Sequence, residues 1–473
     1  MSSDRLTKHE LTAAASLASV YVLRMLGLFM VIPVIAVAAV NFDDYSPMLV
    51  GLAVGGYGLT QAILQIPFGV LSDKWGRKPV IYLGLSFFCI GSLIAGFADS
   101  MLMLTIGRIL QGAGAIAGAI MALASDVTRE SQRTKVMAII GVSIGFSFYI
   151  ALLLGPLLAA NIGLQGIFLL TAALSLSCFV IIKFGVNEGL NSVDGTTRGK
   201  PSNATGDSLP KLDQLGGLFK HAQLWRLNIS VLVLHLLITT FFVQIPVLLV
   251  GIDIPLAEHY KAYSIVLFAS IAVLVGFMHI TKNLPISTSF KLALLFMAGG
   301  FFVLITQSLT FFAICVAGIL FFGGFNFLEA KMPAMVSSLA PAGQKGSAMG
   351  IYASHQFFGA FLGGVVSGIL NTHFSAQTSF IFCLMVIFLC VLITKGLASA
   401  ERLRRVTLPF KNTLPDTETV RTNIHSNPTD ISKALSDLPG VKDVHADDED
   451  QVFYLKVDAK RFNIQQAKDI CEG

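Results

Sequence analysis

The strongest constraint on this chain is a succession of apolar runs, each about 20 residues long, that continue with short polar breaks almost to residue 397. A helix of about 20 apolar residues crosses the ~30 Å hydrocarbon core of a bilayer. Only 13% of the 473 residues are charged, whereas soluble domains carry roughly 25%. The pattern excludes an ordinary water-soluble protein and predicts a polytopic protein whose surface contacts the lipid bilayer.

The hydropathy pattern predicts twelve transmembrane helices in two sets of six. The first set covers residues 12–40, 47–72, 80–98, 101–124, 135–160 and 164–186. The second set covers residues 226–251, 259–281, 289–307, 310–336, 347–371 and 377–397. A hydrophilic connector rich in Gly, Ser, Asn, Asp and Lys separates two halves of similar length. The layout is therefore six helices plus six.

Basic residues fix the orientation of the predicted helices. Lys and Arg occupy the loops after spans 2 and 4 and the connector, whereas loops 41–46, 99–100, 161–163, 252–258, 308–309 and 372–376 contain neither. Cytoplasmic loops carry the excess of Lys and Arg, so both termini are expected in the cytoplasm. The net charge of +5 is too small to indicate nucleic acid as a partner.

After residue 398 the composition becomes polar. Residues 399–410 are interpreted as a linker, and residues 411–473 as a small cytoplasmic α+β domain. A helical stretch near 429–438, alternating residues 452–458 and a helix from Ile464 give the order β-α-β-β-α, which suits a ferredoxin-like domain. The six cysteines include no CxxC pair, so we expect no metal site.

The sharpest motif lies between spans 2 and 3 and runs from Gly69 to Lys78 as GVLSDKWGRK. It holds a carboxylate beside three cations at a tight turn on the membrane surface. The motif resembles the signature loop of the major facilitator superfamily, GxxxD(R/K)xG(R/K)(R/K), at every defined position. The alternative is a merely basic inner loop. The matching positions are Gly69, Asp73, Lys74, Gly76, Arg77 and Lys78.

Two further motifs belong to the first half. Arg108 and Gln111 stand in RILQG, which resembles the superfamily's RxxQG motif and places a guanidinium about 10 Å inside the membrane. Its two interpretations are a proton-coupling or substrate residue and a structural arginine bonded to backbone carbonyls. In span 5, Gly155 and Pro156 resemble the antiporter motif gxxxGPxxGG as a packing motif, although alanines replace several of its glycines.

Nearly the whole chain resembles the YajR-type family of drug/proton antiporters, which add a C-terminal ferredoxin-like domain to the superfamily fold. The segments that carry this resemblance include RMLG at 24–27, SDVTRE at 125–130, NFLEA at 326–330 and SLAPAG at 338–343. The resemblance implies an all-α membrane protein with twelve transmembrane helices in two six-helix bundles. The predicted domains are 1–190 and 226–398 for the bundles, 191–225 for the connector, 399–410 for the linker and 411–473 for the ferredoxin-like domain.

The resemblance also implies a conformational latch. In the outward-open state Asp73 would meet the N-terminal end of span 11, near Gly346 and Ser347, while Arg77 would pair with Asp126. The Asp73 contact would be favourable, because an anion at a helix N-terminus gains about 0.3 to 2 kcal/mol from unpaired N–H groups and the macrodipole.

The ionisable residues inside the predicted spans are candidates for a proton and substrate cavity. They are Arg24, Arg108, His235, Glu329 and His355, with Gln111 beside them. The resemblance places Arg24, Arg108, His235 and Glu329 on helices that line the cavity. The alternatives are a structural ion pair for Arg24 and Glu329, and neutral histidines bonded to a neighbouring helix for His235 and His355.

Together these features predict a proton-coupled secondary transporter that exports small organic compounds or drugs by alternating access. Its partners would be protons and a small-molecule substrate. We expect no catalytic residues and no cofactor, because the chain has no Walker, HExxH or GxSxG motif, and proton-motive force is the remaining energy source. The alternative is a membrane sensor that presents its C-terminal domain, a candidate for binding a regulator or for self-association.

Overall fold

A computed structural model describes residues 6–186, 215–397, 404–409, 428–447, 452–458 and 461–472. The helices of the first half are α1 (Lys8–Ala38), α2 (Pro47–Trp75), α3 (Arg77–Gly96), α4 (Met101–Gly112), α5 (Ala117–Asp126) and α6 (Glu130–Gly185). Those of the second half are α7 (Leu215–Lys220), α8 (Ala222–Gly251), α9 (His259–Ile280), α10 (Ile286–Thr306), α11 (Phe311–Leu339), α12 (Lys345–His373) and α13 (Ala376–Ile393). Residues 191–214 of the predicted connector, residues 399–403 and 410 of the predicted linker, and residues 411–427 of the predicted C-terminal domain lie outside the described residues.

Eleven helical stretches of the described chain are long and apolar enough to cross a membrane. One of them is α6, whose 56 residues would form a rod of about 84 Å, nearly three times the thickness of the hydrocarbon core. Gly163 interrupts this helix with φ 71° and ψ 176°. The interruption falls in the loop expected between spans 5 and 6.

The predicted fourth span, residues 101–124, consists of two helices, α4 and α5, separated by residues 113–116. The break begins at the glycine-rich sequence Gly112-Ala113-Gly114, since glycine is a poor helix former. A break inside a membrane frees backbone carbonyls that need partners. The Gly114 carbonyl accepts a hydrogen bond of 2.6 Å from Arg24 Nη2 of α1, so the interruption is tied to an intramembrane arginine.

The two halves contact each other in the part of the membrane away from the basic loops, which we call the outer half. There α2 and α12 approach so closely that a Cβ at Gly51 would lie 2.3 Å from the Gly364 carbonyl oxygen. A Cβ at Gly55 would lie 2.7 Å from the Phe361 carbonyl oxygen. Small residues permit this backbone approach between membrane helices.

Contacts between the halves also occur deeper in the membrane, where Ile66 of α2 packs against the core of the second half. Near the middle of the membrane Asn326 Nδ2 of α11 donates to Tyr149 Oη of α6 over 3.1 Å. Gly145 lies one turn closer to the inner surface on the same face as Tyr149. Apart from its own helix, no described atom lies within 4 Å of a Cβ built at Gly145 or at Gly141. The close backbone contacts of α2 with α12 thus lie in the outer half, and none is described at Gly141 or Gly145 of α6.

The C-terminal domain has the elements β1 (Arg404–Pro409), α14 (Pro428–Ser436), β2 (Val441–Asp447), β3 (Val452–Val457) and α15 (Ile464–Glu472). Its antiparallel sheet has the order β1-β3-β2, and Val406 and Val444 both pair with Leu455 of the central strand. The side chains of Leu408, Leu435, Phe453 and Ala467 are buried in its core.

The domain begins earlier than the sequence predicts. Strand β1 lies within residues 399–410, which were interpreted as a linker, and the boundary at 411 is therefore wrong. Arg404 and Arg405 resemble the basic residues that follow a membrane span. The alternation of Val406 and Leu408 is too short to indicate a strand by itself. The ferredoxin-like topology stays a prediction, while the order β-α-β-β-α is present among the described elements.

Candidate functional site: the inner loop and the intramembrane polar clusters

Arg77 organises the loop between α2 and α3. Gly76, with φ 93° and ψ 157°, makes the turn between the two helices, a backbone conformation that glycine adopts without strain. The buried guanidinium of Arg77 then reaches three partners: Nη1 bonds Asp73 Oδ1 at 2.5 Å and Ser72 Oγ at 3.0 Å, and Nε bonds Asp126 Oδ2 at 3.0 Å. One arginine thus joins the ends of α2, α3 and α5.

The other members of the signature loop lie around this ion pair. The Gly69 carbonyl accepts a hydrogen bond of 2.7 Å from Ser72 Oγ. Lys78 Nζ donates to the Val186 carbonyl over 2.6 Å and so satisfies a backbone group at the C-terminal end of α6. Lys74 is exposed. The loop therefore fastens four helices of the first half to one another on the inner surface.

A second ion pair on the same surface was missed by the sequence analysis. The carboxylate of Glu10, 4% exposed, accepts hydrogen bonds of 2.8 Å from both Nε and Nη2 of Arg129. It also accepts a bond from the backbone of Thr7 at 2.8 Å. The spacing Thr7-x-x-Glu10 is that of a capping box, and this signal could have singled out Glu10.

The Asp73 latch is not closed in this structure. Asp73 bonds Arg77, and none of its described contacts is with Gly346 or Ser347 at the start of α12. The resemblance assigns the contact between Asp73 and α12 to the outward-open state, and we therefore propose that this structure represents the inner-open state. Arg77 and Asp126 are paired as the resemblance implies, at 3.0 Å, while the role of the pair in transport stays a proposal.

Arg24 lies inside the first half and has no described carboxylate partner. Its Nη2 atom donates to Tyr57 Oη at 3.1 Å, Gln61 Oε1 at 3.3 Å and the Gly114 carbonyl at 2.6 Å. The guanidinium carbon lies 5.5 Å from the centroid of the Phe88 ring. Arg24 is 2% exposed, so in this conformation it is enclosed by its own bundle.

Arg108 and Gln111 form a neighbouring network. Arg108 Nε donates to the Ala53 carbonyl at 3.1 Å, and Nη1 donates to Gln111 Oε1 at 2.9 Å. Gln111 Nε2 in turn donates to Ser92 Oγ at 2.7 Å. The guanidinium also lies 5.0 Å from the centroid of the Tyr57 ring. Arg108 bonds a backbone carbonyl and is 2% exposed. These are the contacts expected of an arginine with a structural role.

The second half holds a separate cluster of His235, Glu329 and Gln356 from α8, α11 and α12. Gln356 Nε2 lies 2.8 Å from His235 Nε2 and 3.4 Å from Glu329 Oε1. His235 Nδ1 lies 3.2 Å from the Val231 carbonyl, so the neutral ring donates there and accepts from Gln356 at Nε2. Glu329 Oε2 lies 4.0 Å from His235 Nε2, and 36% of the Glu329 side chain is exposed.

Gln356 was missed by the sequence analysis, because a single glutamine in an apolar helix carries no pattern. His355, one position earlier, does not join the cluster. Its Nδ1 lies 2.8 Å from the Ile351 carbonyl of its own helix, and its ring lies 6.2 Å from that of Phe219. The structure thus brings together two of the predicted cavity residues, His235 and Glu329, and separates them from Arg24, Arg108 and His355.

The packing motif of α6 brings that helix against α1. A Cβ at Gly155 would lie 2.4 Å from the Met30 carbonyl oxygen, and Pro156 follows within the helix. Among the described residues no three His, Cys, Asp or Glu side chains form a group able to hold a metal ion. The ionisable groups on these helices can carry protons and organise helix contacts.

Comparisons with known proteins agree over the length of the chain. A profile of the Major Facilitator Superfamily matches residues 17–328 and 288–436. Inner membrane transport protein YajR of Escherichia coli strain K12 is 36% identical over 480 aligned positions, covering 99% of this chain and 99% of YajR. The class B tetracycline resistance protein of Escherichia coli is 32% identical over 150 positions, 31% of this chain and 36% of that protein.

Solved structures share the fold. The crystal structure of the nucleoside transporter NupG aligns with 83% of this chain and 99% of its own, with a TM-score of 0.62 and 13% sequence identity. At this identity the likeness concerns the fold alone.

Proposed function

Because this chain belongs to the major facilitator superfamily, in its YajR-type branch, and is therefore a multi-pass inner-membrane transporter, we propose that it exports small organic compounds in exchange for protons. We also propose twelve membrane crossings, with α6 crossing twice and turning at Gly163. The sensor alternative is not favoured, since the relative that matches 99% of the chain is itself named as a transport protein.

The observation that carries proton coupling is the cluster of His235, Gln356 and Glu329. Ionisable groups inside a membrane are costly and mark proton or substrate paths. Here a carboxylate and an imidazole lie 4.0 Å apart, with one glutamine amide in contact with both. The Glu329 side chain is 36% exposed, although its Oε2 atom, the one closest to His235, is buried and has no described hydrogen-bond partner. We propose that protons and substrate reach the cluster when the inner side is open.

Protonation of this cluster would change the contacts among three helices. A proton added to His235 Nε2 turns that atom from an acceptor into a donor, so Gln356 must present its oxygen instead of its amide nitrogen. The protonated ring is then also attracted to the Glu329 carboxylate. Neutralising Glu329 removes this attraction. A proton can therefore shift the relative stability of two arrangements of α8, α11 and α12, which is the requirement for coupling.

The signature loop supplies the other part of the proposed cycle. When the inner side closes, Asp73 would approach the N-terminal end of α12, where unpaired backbone N–H groups favour an anion. Arg77 holds this carboxylate, and Asp126 holds Arg77. The loop is thus placed to stabilise an inner-closed state, while the glycine contacts between α2 and α12 stabilise the outer-closed state.

The proposed direction of transport rests on two likenesses. The class B tetracycline resistance protein matches about a third of the chain, and Gly155-Pro156 resembles the antiporter motif. These support export of a drug-like organic compound. The buried state of Arg24 and Arg108 argues against a direct ion pair between either arginine and a substrate in the inner-open conformation.

The test is proton flux in liposomes that contain the purified protein and an internal pH dye. Drugs, sugars and organic anions are added in turn under an imposed pH gradient. We expect a compound that moves protons with the wild type and not with Glu329→Gln. The matched control is Lys331→Gln, two residues away on the same helix, which should retain flux. No response of the wild type to any compound, or equal flux in Glu329→Gln, would contradict proton coupling through this cluster.

A further inference from the structure

The C-terminal sheet holds the loop that connects α11 to α12. Lys456 Nζ of β3 donates to the Ala340 carbonyl over 3.0 Å, and Ala340 is the residue that caps the C-terminal end of α11. Asp443 Oδ2 of β2 accepts a hydrogen bond of 2.8 Å from the Ala342 backbone. The Lys456 cation is favoured beside the carbonyl at the C-terminal end of the helix, and the Asp443 carboxylate accepts from the backbone N–H of Ala342 that follows. The positive side chain thus meets a carbonyl oxygen and the negative side chain meets an N–H group.

The burial of these residues indicates a fitted interface. Lys456 is 8% exposed, and Tyr454, Val452 and Ala342 are 3%, 2% and 1% exposed. A lysine is rarely buried unless it is paired, and Ala342, Val452 and Tyr454 form an apolar cluster of their own.

Shape complementarity extends to Gly343 in the middle of the loop. A Cβ at Gly343 would lie 2.6 Å from His445 Cδ2 and 2.8 Å from Tyr454 Cδ2. Two strands of the domain therefore cover the loop so closely that a side chain at this position would separate them.

The contact between the C-terminal sheet and the loop lies beside the helix end at which the proposed latch would form. The held loop ends at Lys345, the first residue of α12, and the following residues, Gly346 and Ser347, are the proposed seat of the Asp73 carboxylate. Asp443 already places a negative charge on the backbone just before this helix end. A second carboxylate approaching the same end would be repelled, and the domain restrains the loop that would have to move.

We infer that the C-terminal domain is an autoinhibitory clamp that docks on residues 340–343 and opposes closure of the inner side. The inference rests on the proposed Asp73 latch for its direction, since the clamp acts by excluding Asp73 from the start of α12. Release of the domain shifts the transporter toward the inner-closed, outward-open state. The domain is thus a site where a regulator can change transport without entering the substrate path.

Docking is tested first by hydrogen exchange of the peptide containing residues 340–344 in the full-length protein. Lys456→Glu and Asp443→Asn each remove one charged contact from a different strand. We expect exchange to become about tenfold faster in each, since a hydrogen bond to a charged group has about this value. The matched control is Lys433→Glu, which makes the same charge change at an exposed position of α14 and should leave exchange unchanged.

The effect on the transporter is tested by labelling a cysteine at Gly145, where an added Cβ would meet no described atom apart from its own helix and which the proposed inner opening would expose. The native cysteines at 89, 178, 315, 383, 390 and 471 are all buried, so the introduced thiol gives the main signal. We expect Lys456→Glu to slow labelling at least about threefold through a shift to the inner-closed state. Adding Asp73→Asn should restore fast labelling, because the competing latch is then absent.

The outcomes separate the parts of the inference. Unchanged exchange in both Lys456→Glu and Asp443→Asn would overturn the docking contact. Faster exchange with unchanged labelling would overturn the clamp. Slower labelling that Asp73→Asn does not reverse would overturn competition with the latch. Neither measurement uses a substrate or a proton gradient, so failure of the proposed proton-coupled export is detected separately in the flux assay.

Discussion

At the scale of single residues, Arg77 joins three side chains on the inner surface. It bonds Asp73, Asp126 and Ser72 from one guanidinium. Arg77→Ala should lower the free energy of unfolding by about 2 kcal/mol, because it removes Arg77 from the partly buried carboxylate of Asp126. Breaking a partly buried ion pair costs less than breaking a fully buried one. Thermal unfolding in detergent measures the loss.

The matched control for this prediction is Lys74→Ala in the same loop. Lys74 carries the same charge and is exposed, and exposed charges contribute little to stability. Equal stability of the two variants would contradict the assignment of the loop's cohesion to Arg77.

Residue contacts were predictable from sequence where a motif has fixed spacing. The signature loop predicted a carboxylate close to three cations, and the pairing of Arg77 with Asp126 followed from the resemblance. Gln356 and the bond from Arg24 to the Gly114 carbonyl join helices far apart in sequence. Hydropathy indicates that such residues are inside the membrane, and it does not indicate which helix faces which.

At the scale of helices, Asp44 stabilises the start of α4 from the outer loop. Its carboxylate accepts bonds from the backbones of Met101 at 2.7 Å and Leu102 at 3.0 Å. These bonds, the one from Met101 first, hold the pKa of Asp44 below its ordinary value despite some desolvation. A carboxyl group with a lowered pKa contributes stability above its ordinary pKa of about 4 and loses it as the pH falls through the lowered value.

The prediction is that Asp44→Asn is less stable than the wild type above about pH 4 and that the difference shrinks as the pH falls below it. Melting temperatures measured over a pH series check this. Asp43→Asn changes the neighbouring exposed carboxylate and serves as the control. A stability difference for Asp44→Asn that does not vary with pH would be inconsistent with a charge-dependent cap.

The glycine contact between α2 and α12 gives a second prediction at this scale. In Gly364→Ala the new Cβ would lie 2.4 Å from the Gly51 carbonyl oxygen and 2.8 Å from the Gly55 nitrogen. The outer halves of the two helices must then separate, which destabilises the outer-closed state. We expect faster labelling, by an impermeant reagent added from outside, of a cysteine placed at Val243, which is 3% exposed and packs against the first half.

Gly145→Ala is the control for this substitution, because no described atom apart from its own helix lies within 4 Å of the added carbon. It should leave labelling from outside unchanged. Equal labelling of Gly364→Ala and the wild type would mean that this contact does not hold the outer side closed.

Helix positions were predictable within a few residues because the hydrocarbon core sets the length of each apolar run. Spans predicted at 259–281 and 289–307 correspond to α9 (His259–Ile280) and α10 (Ile286–Thr306). The break between α4 and α5 and the strand β1 were not predicted. Both depend on tertiary partners, Arg24 for the break and the central strand β3 for β1.

At the scale of the whole molecule, one set of contacts closes the outer side and another is placed to close the inner side. The outer set consists of backbone contacts between α2 and α12. The inner set centres on Asp73, whose described contact is with Arg77 and which we propose to meet the start of α12 when the inner side closes. The central claim for alternating access is that the outer contacts and the inner contacts do not form at the same time. This could not be predicted from sequence, because it depends on the relative position of the two halves.

The most direct test measures distances between spin labels on both sides of the protein, in the wild type and in Asp73→Asn. An inner pair at Lys74 and Lys282 and an outer pair at Tyr45 and His373 use exposed positions on opposite halves. We predict that the wild type has two populations in which a short inner distance accompanies a long outer distance, and the reverse. Asp73→Asn should lose the population with the short inner distance. Inner and outer distances that change together, or identical distributions in the two proteins, would contradict the account.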